Sequence, residues 1–344
     1  MSGSTRTGDS PRFLIIRLGS LGDIIHGIPA AAALRRHFPQ GRIDWLVDPQ
    51  YVPLLDLVEG LDRRIPFDPR GLTRGGGAWS VVSELRAARY DAALDFQGLL
   101  KSAALGRLAG ARQTIGFTRA HLREPLAALL YSTTADPGAA PHVIDKTLGL
   151  LAPLGVVDRT ARFPISVPRT AVAASLQDRF GPSGYALINP GAAWPNKRWP
   201  PERFGALAAT IEREYGLRSV VLWGPGEESL AESVSMASNG AAEPAPATTI
   251  PDIVAVAHGA RLMVSGDTGP LHIGGAVGTP LVALFGPTYP ERNGPWSAQD
   301  VVLSRVTACS CLYQRQCSRA ARCIDEITVD EAAAAVRRRV SAHG

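Results

Sequence analysis

Short Val/Ile/Leu-rich runs alternate with helical apolar patterns along most of the chain. RFLIIRLG reads as a strand, and IIHGIPAAAALRRHF as a helix ending before Pro39. RIDWLVD is a predicted strand, YVPLLDLVEGL a helix and DRRIPFD a short strand. AWSVVSELRAARY follows as a helix, YDAALDFQG as a strand, LLKSAALGRLAG as a helix and RQTIGF as a strand. This β-α-β-α rhythm predicts a parallel sheet covered on both faces. The rhythm breaks around 155–183, where Pro153, Pro164, Pro168 and Pro182 cluster. It resumes with YALINPGA as a strand and a helix from Pro200 through Tyr215. SVVLWGPG, RLMVSGDTG and PLVALFGPT then read as strands, with helices EESLAESVSMAS and PLHIGGAVG between them. The pattern predicts two α/β domains, 1–165 and 166–325. A terminal helix over 326–344 opens on a capping box, Thr328 with Glu331, and is expected to pack back on the first domain.

Composition changes this picture in one respect. The 344 residues are 45% hydrophobic and 19% charged, ordinary for a globular chain of two cores. Charge is uneven: residues 1–164 carry 20 Lys+Arg against 15 Asp+Glu, and residues 165–344 carry 16 against 16. The whole excess of +5 lies in the first half, which points to an anionic partner or to a plain surface bias. The start, MSGSTRTGDSPR, has no apolar core, and no apolar run reaches the roughly 18 residues of a membrane span, so a cytoplasmic protein is expected.

Candidate chemistry gathers where strands end. In RLGSLGDIIHG a Gly-rich turn opens a helix and carries one acid, Asp23, with Ser20 and Gly22 beside it. Such turns hold phosphate through free helix amides. An acid there is held ionised by the helix dipole and serves either as a general base or as a favourable N-terminal charge. In the second half, NPGAAWPNKRWP places Lys197 after a strand. LWGPGEE places Glu227 and Glu228 after the next strand, where either can accept from ribose hydroxyls. SGDTGPLHIGG places Asp267, Thr268, Gly269 and His272 at a third strand end that opens a helix. Three such loops at successive strand ends favour a bound nucleotide. G-x-G-x-x-G, P-loop, H-E-x-x-H and G-x-S-x-G motifs are absent from the sequence.

The motifs RLGSLGDIIHGIPA, YDAALDFQGLLKSA, LREPLAALLYS, NPGAAWPNKRWPPERF and VSGDTGPLHIGGAVGTPLVALFGPTYPERNGPW occur in that order. Together they resemble glycosyltransferase family nine, the ADP-heptose:lipopolysaccharide heptosyltransferases, and most of all heptosyltransferase I. The resemblance implies a GT-B fold, two facing Rossmann-like domains with the active site in a cleft. It implies inverting, metal-independent transfer of heptose from ADP-L-glycero-D-manno-heptose to a Kdo residue of lipid A, on the inner face of the inner membrane. Another nucleotide sugar or a protein acceptor is the alternative, and no nucleic acid is implied. Asp23 matches the catalytic base, Lys197 the donor-phosphate cation, and Thr268 and Gly269 the diphosphate turn. Asp267 and His272 fall in the same donor motif. Lys101 and Arg123 match acceptor-facing positions, with Arg63 and Arg64 in a similar place.

Four cysteines, Cys309, Cys311, Cys317 and Cys323, crowd into CSCLYQRQCSRAARC. The resemblance extends to Cys clusters in other family members, one kind of which binds iron. A structural Zn or Fe, one or two disulfides, and free thiols all remain open.

Overall fold

The computed structural model describes residues 10–68 and 77–342. The chain divides into two compact units, Met1–Ser166 and Val167–Gly344.

The first unit runs β1 (Arg12–Ile16), α1 (Leu21–His37), β2 (Arg42–Val47), α2 (Val52–Leu55), β3 (Arg63–Pro66) and α3 (Gly77–Ala88). It continues with β4 (Ala92–Asp95), α4 (Leu100–Leu108), β5 (Gln113–Phe117), β6 (Thr133–Ala135) and α5 (Val143–Gly149). The strand order is β3-β2-β1-β4-β5-β6, and every pairing is parallel. β1 is central, so Phe13 to Ile16 are buried on both faces. α1 is buried almost all round from Ile24 to Leu34, which explains its lack of a polar stripe.

The second unit runs α6 (Ala171–Phe180), β7 (Ala186–Asn189), α7 (Pro201–Tyr215), β8 (Ser219–Val221), α8 (Glu228–Ala237), β9 (Ala242–Pro244) and α9 (Ile250–Gly259). Then come β10 (Leu262–Gly266), α10 (Gly269–Ala276), β11 (Leu281–Phe285), α11 (Pro290–Asn293), β12 (Val301–Ser304) and α12 (Val329–Ser341). Its sheet is again all parallel, in the order β12-β11-β10-β7-β8-β9. Numbered within each unit, both sheets have the doubly wound order 3-2-1-4-5-6. The winding reverses between β1 and β4 in one unit and between β7 and β10 in the other. Ligands of such sheets bind at the carboxyl ends of those strand pairs. The turns singled out in the sequence, after β1, after β7 and after β10, stand at those ends.

Two expectations change. The Pro-rich break is not structureless, since α6 lies inside it, capped by Thr170, whose Oγ1 accepts from the Ala173 N–H at 3.2 Å. YVPLLDLVEGL gives only a one-turn helix, α2, after a 3₁₀ turn at Pro49–Tyr51. The terminal helix α12 belongs to the second unit. It spends its apolar face inside the second unit, where Ala332, Ala333, Ala335 and Val336 join the core. Buried Arg339 on the same helix meets Asp300 at 2.9 Å. The predicted box is present: the Thr328 N–H donates to Glu331 Oε2 at 2.8 Å, and the Glu331 N–H donates to Thr328 Oγ1 at 3.2 Å. Among the described residues, no helix is long and apolar enough to cross a membrane.

Candidate active site

β1 ends at Ile16, and α1 begins at Leu21 after four intervening residues. Gly19 sits under the Tyr51 ring, where a Cβ would lie 3.0 Å from the ring edge, so the turn has room for nothing larger. Asp23 is the third residue of α1. Its Oδ2 accepts from the Ser20 N–H at 3.1 Å and from Ser20 Oγ at 3.0 Å, and it pairs with Arg17 Nη2 at 2.5 Å. Burial alone would raise this carboxyl. Arg17, the Ser20 amide and the charge of His26 outweigh that and hold it down at about 2. Asp23 is therefore ionised at any physiological pH, while its side chain stays 29% exposed and open to a substrate.

Arg17 opens the RLGSLGD motif, yet neither it nor Tyr51 has a task that the sequence alone gives. Arg17 also donates from Nη1 to the Phe96 carbonyl at 2.8 Å, and the Leu18 N–H donates to Gln97 Oε1 at 3.1 Å. The turn after β1 is thereby tied to the turn after β4, the two sides of the switch point. Asp95 fixes that second turn. Its buried carboxylate accepts from Tyr131 Oη (2.7 Å), Ser102 Oγ (2.9 Å) and the Gln97 and Gly98 N–H groups (2.9 and 3.0 Å). Burial pushes its carboxyl up, against these four donors. His26, one turn beyond Asp23, is buried; its ring meets His142 edge-on at 5.6 Å, and its carbonyl accepts from Thr147 Oγ1 at 3.2 Å.

The four basic residues expected at an acceptor separate into two pairs. Lys101, in the first turn of α4, and Arg123, in the segment after β5, are both exposed. They are brought to one edge because Glu124 Oε2 accepts from the Leu100 N–H at 2.7 Å. Arg63 and Arg64 form the second pair and have partners within the fold. They start β3, at the edge of the sheet opposite to Asp23. Arg63 pairs with Glu84. Arg64 donates to three backbone carbonyls, those of Leu55 (2.9 Å), Leu61 (2.8 Å) and Val58 (2.7 Å), and so closes the loop before its own strand. Their sequence signal was charge, which does not distinguish a ligand contact from a loop brace.

In the second unit the sites after β7, β8 and β10 interlock. Lys197 Nζ meets Asp267 Oδ2 at 2.5 Å and lies 4.7 Å over the Trp194 ring. An ammonium has three donors, so N–H groups remain for a diphosphate oxygen. Asp267, which the resemblance places in the donor motif, is held by protein partners. It is 4% exposed, and both oxygens are taken. Oδ2 also accepts from Thr288 Oγ1 (2.8 Å), and Oδ1 accepts from Asn293 Nδ2 (2.7 Å) and faces His272 Nε2 (3.4 Å). Burial would raise this carboxyl, but His272 and Lys197 hold it far below the usual carboxylate range. Asp267 therefore positions Lys197 and His272. Thr288 and Asn293 lie within a motif of the resemblance, yet no local pattern gave them a task.

Thr268 caps α10; its Oγ1 accepts from Asn189 Nδ2 at 2.9 Å and lies 3.2 Å from Ser265 Oγ. The first turn of α10 leaves the Gly269 and Leu271 amides outside the helix ladder, with Pro270 contributing none, and free amides at a helix start can bind an anion. Glu227 folds back over the turn after β7. Its Oε1 accepts from Arg198 Nη2 and its Oε2 from the Gly224 N–H, both at 3.2 Å. A Cβ on Gly191 would lie 2.1 Å from Glu227 Oε2, so that position must be glycine for the carboxylate to sit there. Gly191→Ala is expected to displace Glu227, costing about 1–3 kcal/mol of stability by overpacking and weakening nucleotide affinity. Chemical denaturation beside nucleotide titration measures both effects.

All four cysteines are unbridged thiols. Cys309 and Cys311 Sγ atoms are 3.5 Å apart. Burial and the neighbouring Cys309 push the Cys323 thiol up to about 12, which makes it a poor nucleophile. Among the described residues, no three His, Cys, Asp or Glu side chains are arranged to hold a metal ion, so as placed the cluster does not fit Zn or Fe. Its loop has another task. Asn196 Nδ2 donates to the Gln314 carbonyl (2.8 Å) and lies 3.6 Å from Cys311 Sγ, while Arg322 Nη1 donates to the Pro195 carbonyl (2.8 Å). The Cys-rich loop thus clamps the turn that carries Lys197.

Comparison with known proteins agrees with this geometry. The model of glycosyltransferase family 9 (heptosyltransferase) matches residues 78–321. Lipopolysaccharide heptosyltransferase 1 of Pseudomonas aeruginosa is 29% identical over 318 residues, covering 89% of this chain and 87% of that protein. Lipopolysaccharide heptosyltransferase 1 of Salmonella typhimurium is 30% identical over 300 residues, covering 82% and 90%. Among solved structures, E. coli heptosyltransferase WaaC with ADP matches with a TM-score of 0.73 at 25% identity, over 96% of this chain and 99% of that one.

Proposed function

The chain belongs to glycosyltransferase family 9, the heptosyltransferases, and from that premise we propose that it transfers heptose from ADP-L-glycero-D-manno-heptose to a Kdo residue of lipid A. It would do so in assembly of the lipopolysaccharide inner core, with inversion and without a catalytic metal. The reading places the protein in the cytoplasm, peripheral on the inner face of the inner membrane. The observation that carries it is the pair of switch-point turns with opposite endowments. One presents an ionised carboxylate, Asp23, and the other a Lys197 ammonium beside a helix N-terminus.

In this reaction the acceptor hydroxyl attacks the anomeric carbon while the bond to the diphosphate oxygen breaks. The proton of the attacking oxygen passes to Asp23. A carboxylate with a pKa of about 2 is a weak base, but the oxygen becomes strongly acidic as its new bond forms, so a late proton transfer needs no more. Charge grows on the leaving diphosphate, where Lys197 and the α10 amides stabilise it. Those cations and dipoles supply the positive field that a metal would otherwise provide. Family relatives named for lipopolysaccharide support the acceptor, and the WaaC complex with ADP supports the nucleotide.

The direct experiment uses purified protein, Kdo-lipid A and a panel of ADP- and UDP-sugars, with product anomers assigned by NMR. Transfer from ADP-heptose with inverted configuration is expected; transfer from a UDP-sugar instead, or retention, would sink the reading.

Arg17 sets the electrostatics of the base. Arg17→Gln removes the cation that most lowers the Asp23 carboxyl, which should return toward its ordinary value of 3.8. The acid limb of the pH profile of kcat/KM should move up accordingly. For stability the sign follows from a depressed carboxyl. The Arg17–Asp23 pair stabilises the fold above about pH 4 and loses that contribution as pH falls towards 2. An unchanged acid limb in the variant would contradict this assignment.

A further inference from the structure

Five large apolar side chains of the first unit are exposed among its described residues: Trp79 (60%), Leu100 (40%), Leu126 (56%), Leu129 (79%) and Val157 (82%). Four of the five sit on neighbouring elements. Trp79 is in the first turn of α3 and Leu100 in the first turn of α4. Leu126 and Leu129 are on a 3₁₀ turn, Pro125–Leu130, that packs against α4, as α3 does on its other flank. Those elements follow β3, β4 and β5, so their starts lie at the carboxyl edge of the sheet, the edge that carries Asp23.

The surrounding charge is basic. Lys101 is exposed on α4, and Arg119 and Arg123 are exposed on the stretch that leads from β5 into the 3₁₀ turn. The nearby acids are already engaged: Glu124 accepts from the Leu100 N–H, and Asp136 pairs with His121 at 3.2 Å. Clustered apolar side chains rimmed by cations match a bilayer surface, where the side chains enter the headgroup boundary and the cations meet anionic lipid. Trp at such a boundary is favoured, because its ring is apolar and its N–H polar.

We propose that this ridge, Trp79, Leu100, Leu126 and Leu129 with Lys101, Arg119 and Arg123 around it, docks the first unit on an anionic lipid bilayer. The proposal deepens the lipid-acceptor reading by naming the surface through which the enzyme meets the membrane. It brings the Asp23 edge to the depth at which a lipid-borne hydroxyl is presented. Two weak signals acting together give reversible rather than permanent attachment.

The test is sedimentation of the full chain with vesicles of phosphatidylcholine alone and of phosphatidylcholine with phosphatidylglycerol, without acceptor. Wild type should bind the anionic vesicles, less so as salt rises. The double variant Leu126→Asp, Leu129→Asp should partition about a hundredfold more weakly, about tenfold for each leucine. Both positions are exposed, so its thermal melt should match wild type. Its turnover on a deacylated, water-soluble Kdo acceptor should also be unchanged. Equal vesicle binding by variant and wild type would overturn the proposal. So would absence of wild-type binding, or a wild-type dimer that the variant dissolves, which would make the ridge a self-interface. Vesicle binding that divides as predicted, with no transfer to Kdo-lipid A, would support the ridge and count against the acceptor reading alone.

Discussion

Asp23→Asn is expected to lower kcat by about a thousandfold while leaving the affinity for ADP unchanged. The amide is isosteric and can still accept from the Ser20 N–H, so the start of α1 survives. It cannot take the proton of the attacking hydroxyl. The substitution also leaves the Arg17 guanidinium, 13% exposed, without its ionic partner. A loss of about 1–3 kcal/mol in stability should accompany the loss of rate. Rapid-quench single turnover separates the chemical step from binding, and urea denaturation reads the stability. If kcat falls by less than tenfold, Asp23 is not the base, and its charge serves only the helix.

Lys197→Ala carries the second large effect and should differ in kind. Lys197 acts on charge that is present in the bound diphosphate and grows as it leaves. Its loss should therefore weaken ADP binding by tenfold or more and lower kcat by about a hundredfold or more. It also leaves Asp267 buried with one ionic partner fewer, though Thr288, Asn293 and His272 still hold it. Destabilisation should thus stay below the roughly 3–5 kcal/mol of an abandoned buried charge. Lys197→Arg should not rescue, because the bulkier planar fork replaces a compact ammonium in a largely buried place between Asp267 and the Trp194 ring. Calorimetric titration with ADP and steady-state rates test this pair of effects together. Unchanged ADP affinity would remove Lys197 from the phosphate site.

The two substitutions divide the site by chemistry, and so did the sequence. Long strands with continuous apolar runs, such as Phe13–Ile16 and Leu281–Phe285, were legible because central parallel strands are buried on both faces. The turns after β1, β7 and β10 were legible because glycine and a helix start mark them. Three-residue edge strands, β6 and β9, were not, since so short a run has no period to read. α9 was missed because IPDIVAVAHG is rich in β-branched residues. A Thr249–Asp252 box decides for helix, with the Thr249 N–H donating to Asp252 Oδ2 at 2.9 Å.

Among site residues, Asp23 and Lys197 stood out by type and place. Their partners did not, because Arg17, Asn196, Thr288 and Asn293 act through long-range contacts that only the fold creates. Asp267 shows the converse case. Its position in a donor motif was plain, but the four partners that hold it, Lys197, His272, Thr288 and Asn293, were not. Arg63 and Arg64 are a basic pair in sequence whose partners only the fold supplies. The hydrogen bonds of Arg64 to three carbonyls cannot be read from a local pattern.

One measurement bears on the central claim most directly. Wild-type protein is incubated with ADP-heptose and Kdo-lipid A in EDTA, with ADP release and lipid mass followed together. The account predicts one heptose added to the lipid for each ADP released, at a rate EDTA does not change and Asp23→Asn nearly abolishes. ADP release without a heptosylated lipid, or no reaction with this donor and acceptor, would contradict it.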